Sequence, residues 1–530
     1  MEAAATLLTG AVVALGLAKW LNAPAIPFLL VTGVLLARVG LLDPVELRGP
    51  LTLGATFLLF VGGIELNPSR VGKHRRAALR VGAAQFALLG LAGFGAALLL
   101  GFGRLTSLYL ALALTASSTL VVVGLLQRRQ QLFEPFGRLV LGVLLLQDLL
   151  VILMIPLVTR ATEGIGRALI ELAATIAMTG LAFACLRWVG PWLLRLGDDE
   201  ESVLIVTLAF LFVFLGIAEL IGVPLISAAF LAGVGLSAFP VRGVVRGQLD
   251  SISDFFNAIF FTALGGIIVL PGLRELGQAL VLSIVVVVFT PPLVAIVAER
   301  AGFSARPAIE SGLLLSQTSE LSLIVALQGM LLQQVGADVF TIVALVTALT
   351  MLLTPLISAS GVTRWVLRFH PLRRDTLIEK EPDQHVVLLG CGEAGMPLLE
   401  TLLSSGNVVV VVDDDPGVIA RLREGGVPSI RGDALDPEVL HDAAVSRAVI
   451  VSSTVRRPRD NRLLFEVARG VPILVRVFED DDAEWVRAHG GIPILSSEAA
   501  AKAFLRWFDT NVQLQSQATS LSAAPRPSAH

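Results

Sequence analysis

Two carboxylates stand where carboxylates are costly. Asp148 sits in the run Leu144-Leu145-Leu146-Gln147-Asp148-Leu149-Leu150, and Glu320 in Ser316-Gln317-Thr318-Ser319-Glu320-Leu321. An ionisable group deep in an apolar span is a functional candidate by default. A third polar cluster, Thr115-Ala116-Ser117-Ser118-Thr119, lies at a comparable depth in another apolar run. A carboxylate in a low-dielectric pocket can hold a proton or a dehydrated cation, but not both. Small hydroxylated residues let a helix unwind nearby, which frees carbonyls and half-helix dipoles to hold a cation. The candidate ion- and proton-binding set is therefore Asp148, Thr115, Ser117, Ser118, Thr119, Ser316, Ser319 and Glu320. Any single Ser or Thr has a plainer alternative as interhelical glue. Glu320 has another, as a cap on its own helix.

A second constellation lies near the other end of the chain. Residues 385–390 read as a buried strand, followed by Gly390-Cys391-Gly392-Glu393-Ala394-Gly395 and a helical pattern to about residue 403. A second strand, 408–412, runs into Asp413-Asp414. Strand, G-x-G-x-x-G loop, helix, strand and acidic residue together predict a Rossmann unit that binds a nucleotide. The glycines let the backbone approach a phosphate at the helix N-terminus, and Asp413 is placed for ribose hydroxyls. Cys391 in the loop reads as a tolerated small residue rather than a redox sensor.

The elements that must hold these residues follow from composition. The 530 residues are 55% hydrophobic and only 16% charged, with mean hydropathy +0.79; a soluble protein carries about 25% charge. The apolar runs divide at about 5–20, 24–38, 50–67, 77–101, 105–126, 137–157, 168–186, 203–221, 224–237, 254–270, 276–298, 309–332 and 338–360, or about thirteen spans. Met1-Glu2 and the Ala-rich start lack the basic region of a cleaved signal, so the first run is expected to be a true span. With the N-terminus outside, inside segments hold nineteen Lys and Arg and outside segments six. The positive-inside rule thus predicts N-out and C-in. The net charge of −3 argues against a nucleic-acid partner, and Cys185 and Cys391 fall on opposite sides of the domain boundary, so no disulfide is expected.

An internal repeat organises the apolar part. Leu15, Gly16, Pro24, Ile26 and Gly33 recur as Leu215, Gly216, Pro224, Ile226 and Gly233, at an offset of 200. Phe57, Gly62, Gly63, Ile64 and Pro68 recur as Phe260, Gly265, Gly266, Ile267 and Pro271, at 203, and Leu114, Ser118 and Leu120 as Leu315, Ser319 and Leu321, at 201. The copies begin on opposite sides of the membrane, so the repeat is inverted, as in secondary transporters with a midplane site.

The membrane part resembles the monovalent cation:proton antiporter-2 family and its Kef-type potassium efflux antiporters. The residues that carry the resemblance are Gly63-Ile64-Glu65-Leu66-Asn67-Pro68, Ser117-Ser118-Thr119, Gln147-Asp148, Phe260-Phe261 and Ser316 to Glu320. It implies a sodium/proton-exchanger fold with inverted repeats and crossed discontinuous helices. It also implies alternate binding of cation and proton at Asp148, with Gln147 and the Thr115–Thr119 oxygens as co-ligands. A Gln-Asp pair is associated with potassium in that family, and Asn-Asp or Asp-Asp with sodium. One departure is Thr290, in Val288-Phe289-Thr290-Pro291-Pro292, where the family commonly has Lys or Arg; the Pro pair is expected to bend that helix.

The tail resembles the regulator-of-potassium-conductance (RCK, TrkA-N-like) domain that follows many such transporters. That implies an adenine nucleotide (AMP, ATP or NAD(H)) held by Gly390, Gly392, Glu393, Ala394, Gly395, Asp413, Asp414, Gly432-Asp433-Ala434 and Arg476. The expected domains are the exchanger (1–362), a linker (363–383), the Rossmann-like domain (384–510) and a disordered tail (511–530). The expected function is a nucleotide-regulated potassium (or sodium):proton antiporter, not an enzyme. Expected partners are the bilayer of a bacterial inner membrane, a second copy through both domains, and a small regulatory subunit. A ligand-gated potassium channel is the alternative, but the chain has one tyrosine, Tyr109, and no Thr-Val-Gly-Tyr-Gly filter loop. An NAD-dependent oxidoreductase would need a substrate domain after the Rossmann unit, and only a polar tail remains.

Overall fold

The computed structural model describes residues 2–21, 23–43, 47–65, 74–129, 131–132, 135–189, 200–237, 243–303, 305–367, 375–376, 384–392, 394–434, 437–455 and 461–508, apart from 499, 503 and 506. The chain forms two compact units, Met1–Ala301 with Pro307–Val366, and Gly302–Arg306 with Leu367–His530.

The first unit is all helical. Its first copy comprises α1 (Glu2–Trp20), α2 (Ala25–Arg38), α3 (Arg48–Glu65), α4 (Arg75–Leu99), α5 (Arg104–Thr115), α6 (Thr119–Arg128) and α7 (Pro135–Thr159). A linking helix, α8 (Ile165–Ala184), ends in a π-helical turn over Cys185–Val189. The second copy comprises α9 (Glu200–Ile221), α10 (Leu225–Leu236), α11 (Gly243–Gly266), α12 (Leu273–Arg300), α13 (Ala305–Leu314), α14 (Glu320–Leu331) and α15 (Ala337–Ile357), followed by the short α16 (Ser360–Leu367). Among the described residues seven helices are long and apolar enough to cross a membrane, and α5–α6 counts as one of them. The rest of the copies are the shorter apolar helices α1, α2, α3 and α10, the 24-residue α11 and the broken pair α13–α14.

Close approach of glycines locks the two copies together. A Cβ on Gly33 of α2 would lie 2.0 Å from the Thr262 carbonyl oxygen of α11, and 2.8 Å from Gly265 Cα. A Cβ on Gly233 of α10 would lie 2.0 Å from the Phe60 carbonyl oxygen of α3, and 2.8 Å from Gly63 Cα. The contacts of α2 with α11 are thus reproduced by α10 with α3. This equivalence pairs Gly63 with Gly265, an offset of 202, one residue away from the 203 read off the sequence. Both copies carry a Gly-Gly doublet there, so residue types alone could slip by one; the backbone contact does not.

One other expectation changes. Helix α11 starts at Gly243, well before the expected residue 254. Arg246, Asp250 and Asp254 lower the hydropathy of its first half without interrupting the helix. Helix α12 continues through Pro291 and Pro292.

The second unit is a Rossmann sheet. Its strands are β1 (Asp375–Thr376), β2 (Val386–Leu389), β3 (Val409–Asp413), β4 (Ser429–Arg431), β5 (Ile450–Ser453), β6 (Ile473–Val477) and β7 (Ile492–Leu495), in the order β1-β4-β3-β2-β5-β6-β7. All neighbours are parallel except the edge pair β1 and β4. Strand β2 is central, with Val387 registered against Val410 and Val451. It is buried at every position, which is why it reads as an unbroken apolar run. Helices α17 (Met396–Ser404), α18 (Pro416–Glu424), α19 (Pro437–Asp442), α20 (Arg462–Val467) and α21 (Asp480–Ala488) cover the two faces. The order reverses between β2 and β5, the topological switch point where such sheets bind ligands.

Candidate functional site

Both copies break a span at the same place and by the same means. Thr115 Oγ1 donates to the Leu112 carbonyl at 2.7 Å, and Ser316 Oγ donates to the Leu313 carbonyl at 2.7 Å, ending α5 and α13. Ser118 Oγ accepts from the Val121 amide at 3.4 Å, and Ser319 Oγ from the Leu321 amide at 3.2 Å, so both serines are N-caps, of α6 and α14. The exposed amide inside each break is satisfied from the next helix. Ser117 N–H donates to Gln147 Oε1 of α7 at 3.1 Å, and Thr318 N–H to Thr350 Oγ1 of α15 at 3.2 Å. Thr115 and Ser316, Ser118 and Ser319, and Ser117 and Thr318 each stand 201 residues apart, the offset of the repeat. The breaks also touch: Ser117 Oγ donates to the Leu315 carbonyl at 2.8 Å, and Ser322 Oγ to the Ala113 carbonyl.

The carboxylates differ between copies. Asp148, on α7, is 8% exposed, and its Oδ2 accepts from Thr119 Oγ1 at 3.2 Å. Glu320 is the first residue of α14, 9% exposed, in the position that Thr119 holds in the first copy. Its Oε2 is buried with no partner among the described residues. Asp148, Glu320 and Thr119 line one cavity of about 150 Å³, together with Ser253 and Asn257 of α11 and Gln127 of α6. The nine candidates therefore divide. Three face the cavity; Gln147, Thr115, Ser117, Ser118, Ser316 and Ser319 build the breaks around it. Ser253 and Asn257 were missed. Among the described residues no group of three or more His, Cys, Asp or Glu could hold a metal ion.

A second cavity of about 600 Å³ lies on the other side of this region, lined by Thr52, Thr56, Arg160, Glu171, Glu219 and Gln328 among others. Arg160 pairs with Glu171 at 2.9 Å and with Glu163, which also pairs with Arg167 at 2.7 Å. Helix α3 supplies Ala55 and Thr56 to this cavity and Leu58 and Leu59 to the first. The septum between them is thus about one helical turn thick along α3, or about 5 Å. The buried residues Leu58, Leu59, Ile226 and Phe230 belong to it. Thr290, in place of the expected basic residue, is fully buried on α12, and its hydroxyl has no partner among the described residues.

In the Rossmann unit the three glycines have separate tasks. Gly390 has φ +83°, a conformation that L side chains rarely adopt. A Cβ on Gly395 would meet the Gly390 carbonyl oxygen at 2.3 Å, so helix and loop pack there without a side chain. Beside Gly392 there is open space, which leaves room for a phosphate. Asp413, at the end of β3, is buried. Its Oδ2 accepts from the Cys391 amide at 2.5 Å and its Oδ1 from the Asp415 amide at 2.9 Å. Desolvation raises its pKa above the ordinary carboxylate value, partly offset by these amides. Burial, and then the Asp413 charge, push the buried Cys391 thiol up to about 11. Thr454, not foreseen, ties the loop to β5 by donating to the Gly390 carbonyl at 2.9 Å.

Asp414 precedes Asp415, the N-cap of α18, and Gly432 N–H donates to the Asp413 carbonyl at 3.1 Å, bringing the 432–434 turn beside β3. Asp433 and Ala434 follow in that turn. Arg476 is on β6, two strands from β2, or about 10 Å. Its Nε donates to Ser496 Oγ at 2.9 Å, and its guanidinium lies 4.7 Å from the Phe478 ring centroid. It belongs to the β6–β7 side of the sheet and not to the glycine loop. Glu393, Leu66-Asn67-Pro68, the linker residues 368–374 and 377–383, and the tail 511–530 lie outside the described residues.

Two inverted helical copies, each with a broken span, crossed at buried carboxylates and joined to a Rossmann unit, define a polytopic membrane exchanger with a nucleotide-binding-type domain. Residues 5–359 match the family model described as sodium/hydrogen exchanger, transmembrane, and residues 386–496 match the TrkA-N domain. The chain belongs to the sodium/hydrogen exchanger family, and is a transporter rather than an enzyme. It is 28% identical over 434 residues to the glutathione-regulated potassium-efflux system protein KefC of Cronobacter sakazakii (strain ATCC BAA-894), covering 79% of this chain and 68% of that protein. It is 26% identical over 478 residues to the putative cation/proton antiporter YbaL of Escherichia coli (strain K12), covering 84% and 85% respectively. The sodium proton antiporter MjNhaP1 of Methanocaldococcus jannaschii shares the membrane fold, with a TM-score of 0.53 at 14% identity over 67% of this chain and 95% of that one.

Proposed function

We propose that the protein exchanges a monovalent cation, potassium in the first place, for a proton at Asp148. The observation that carries this reading is that Asp148 and Glu320 line one cavity at the crossing of the two broken spans. Proton and dehydrated cation each neutralise the Asp148 carboxylate, so they compete for it. One-for-one exchange of a monovalent cation for a proton moves no net charge, and α12 carries Thr290 rather than a fixed cation. The two cavities and the thin septum between them suit a carrier that opens to one side at a time. Potassium is preferred over sodium on the Gln147-Asp148 pair and on the similarity to the potassium-efflux protein. The protein resides in a bacterial inner membrane, N-terminus outside and C-terminus inside, and works as a homodimer. Its functional domains are 1–362 and 384–510.

The Rossmann unit regulates exchange by binding an adenine nucleotide. Its support is the geometry of the three glycines, with Gly392 facing open space at the switch point. The test uses purified full-length protein in liposomes, with proton flux followed against potassium, rubidium, sodium and lithium. Asp148→Asn is expected to abolish exchange while preserving a monodisperse protein. Undiminished exchange by Asp148→Asn would overturn the assignment. Bound nucleotide is expected to emerge chemically unchanged after many transport cycles.

A further inference from the structure

We propose that Asn257 is a cation ligand of the Asp148 cavity and helps set which alkali cation is held there; this deepens the exchange function proposed above and rests on it. Asn257 lies 14 residues into α11, about 21 Å along its axis from the start at Gly243. Its side chain lines the same cavity as Asp148, Glu320 and Thr119. The amide is held from one turn earlier: Asn257 Nδ2 donates to Ser253 Oγ at 3.3 Å. Its carbonyl oxygen, Oδ1, is buried and has no hydrogen-bond partner among the described residues.

A buried amide oxygen left without a partner is destabilising, and native interiors seldom keep one without a use. In this cavity the group that would satisfy it is a cation. The volume of about 150 Å³ corresponds to the liquid share of about five waters, enough for an alkali cation that retains part of its hydration shell. Asp148 then supplies the charge, and Asn257 supplies a neutral oxygen of weaker field from the facing copy. Neutral carbonyl oxygens discriminate between alkali cations through ligand number and field strength, which a single carboxylate does poorly. Packing explains neither the choice of Asn over an apolar residue nor the unpaired oxygen. A donor role toward Asp148 would require the amide to turn, with Ser253 donating to Oδ1 instead. It would leave a different signature, because a hydrogen bond to the ionised carboxylate shifts proton affinity rather than cation affinity.

The test measures exchange in liposomes for wild type, Asn257→Ala and Asn257→Asp, with potassium and sodium in separate series at several pH values. Asn257→Ala is expected to raise the KM for potassium about tenfold and to change the potassium-to-sodium KM ratio. The pH below which KM starts to rise, which reports proton affinity, should stay where it is in wild type. Asn257→Asp, which keeps the size of the side chain, is expected to move the ratio toward sodium, the smaller cation favoured by a stronger field. It gives the answer even if Asn257→Ala does not fold. An unchanged KM ratio in both variants, or a shifted onset of that rise with an unchanged limiting KM, would overturn the ligand assignment. Exchange surviving Asp148→Asn would instead remove the function on which it rests, so the two failures are distinguishable.

Discussion

Replacing Gly33 by Ala tests the crossing of the two repeats. The added Cβ would stand 2.0 Å from the Thr262 carbonyl oxygen and 2.8 Å from Gly265 Cα, both backbone atoms that cannot swing away. Bringing that contact to the 3.0–3.4 Å at the tight end of real Cβ contacts requires α2 and α11 to separate by about 1 Å. Overpacking of this kind costs about 1–3 kcal/mol, and a packed helix pair in a bilayer has close backbone approach as its main cohesive term. At about 2 °C per kcal/mol for a unit of this size, the apparent Tm in detergent should fall by about 2–6 °C. Gly233→Ala meets the Phe60 carbonyl oxygen at the same 2.0 Å and should lose a similar amount. Gly16→Ala, with nothing within 4 Å, should change little. Thermal unfolding of the three variants side by side reads the result. A Gly33→Ala protein as stable as Gly16→Ala, or a large difference between Gly33→Ala and Gly233→Ala, would refute the symmetric crossing.

Two further outcomes are expected in the Rossmann unit. With its thiol pushed up to about 11, Cys391 should resist alkylation at pH 7.5 and label faster only as the pH rises toward that value; mass spectrometry of maleimide-treated protein checks this, and rapid labelling of the folded protein at neutral pH would count against it. Gly395→Ala should destabilise the loop, because its Cβ meets the Gly390 oxygen at 2.3 Å, whereas Gly392→Ala should fold normally and lose only nucleotide affinity. Thermal shift with and without adenine nucleotides separates the two.

The features legible in the sequence are those that rest on chemical type at a fixed spacing. The Gln147-Asp148 pair stands out because nothing around it is polar, and the Thr115–Thr119 and Ser316–Glu320 clusters because they are repeat mates. Those mates include helix terminators and caps, roles set by side-chain direction and not by residue type. The one-residue slip at Gly63 and Gly265 arose because two Gly-Gly doublets align equally well either way. Asn257 was hidden for a different reason. Hydropathy placed the start of its span at residue 254, three residues before it, whereas the helix begins at Gly243.

The central claim is that proton and cation compete for Asp148. The direct measurement is the apparent KM for potassium across a pH series, with wild-type protein in liposomes. Competition predicts a KM that rises as pH falls, approaching tenfold per pH unit on the acid side, at a constant maximal rate. A KM independent of pH with a maximal rate that falls on acidification would contradict it.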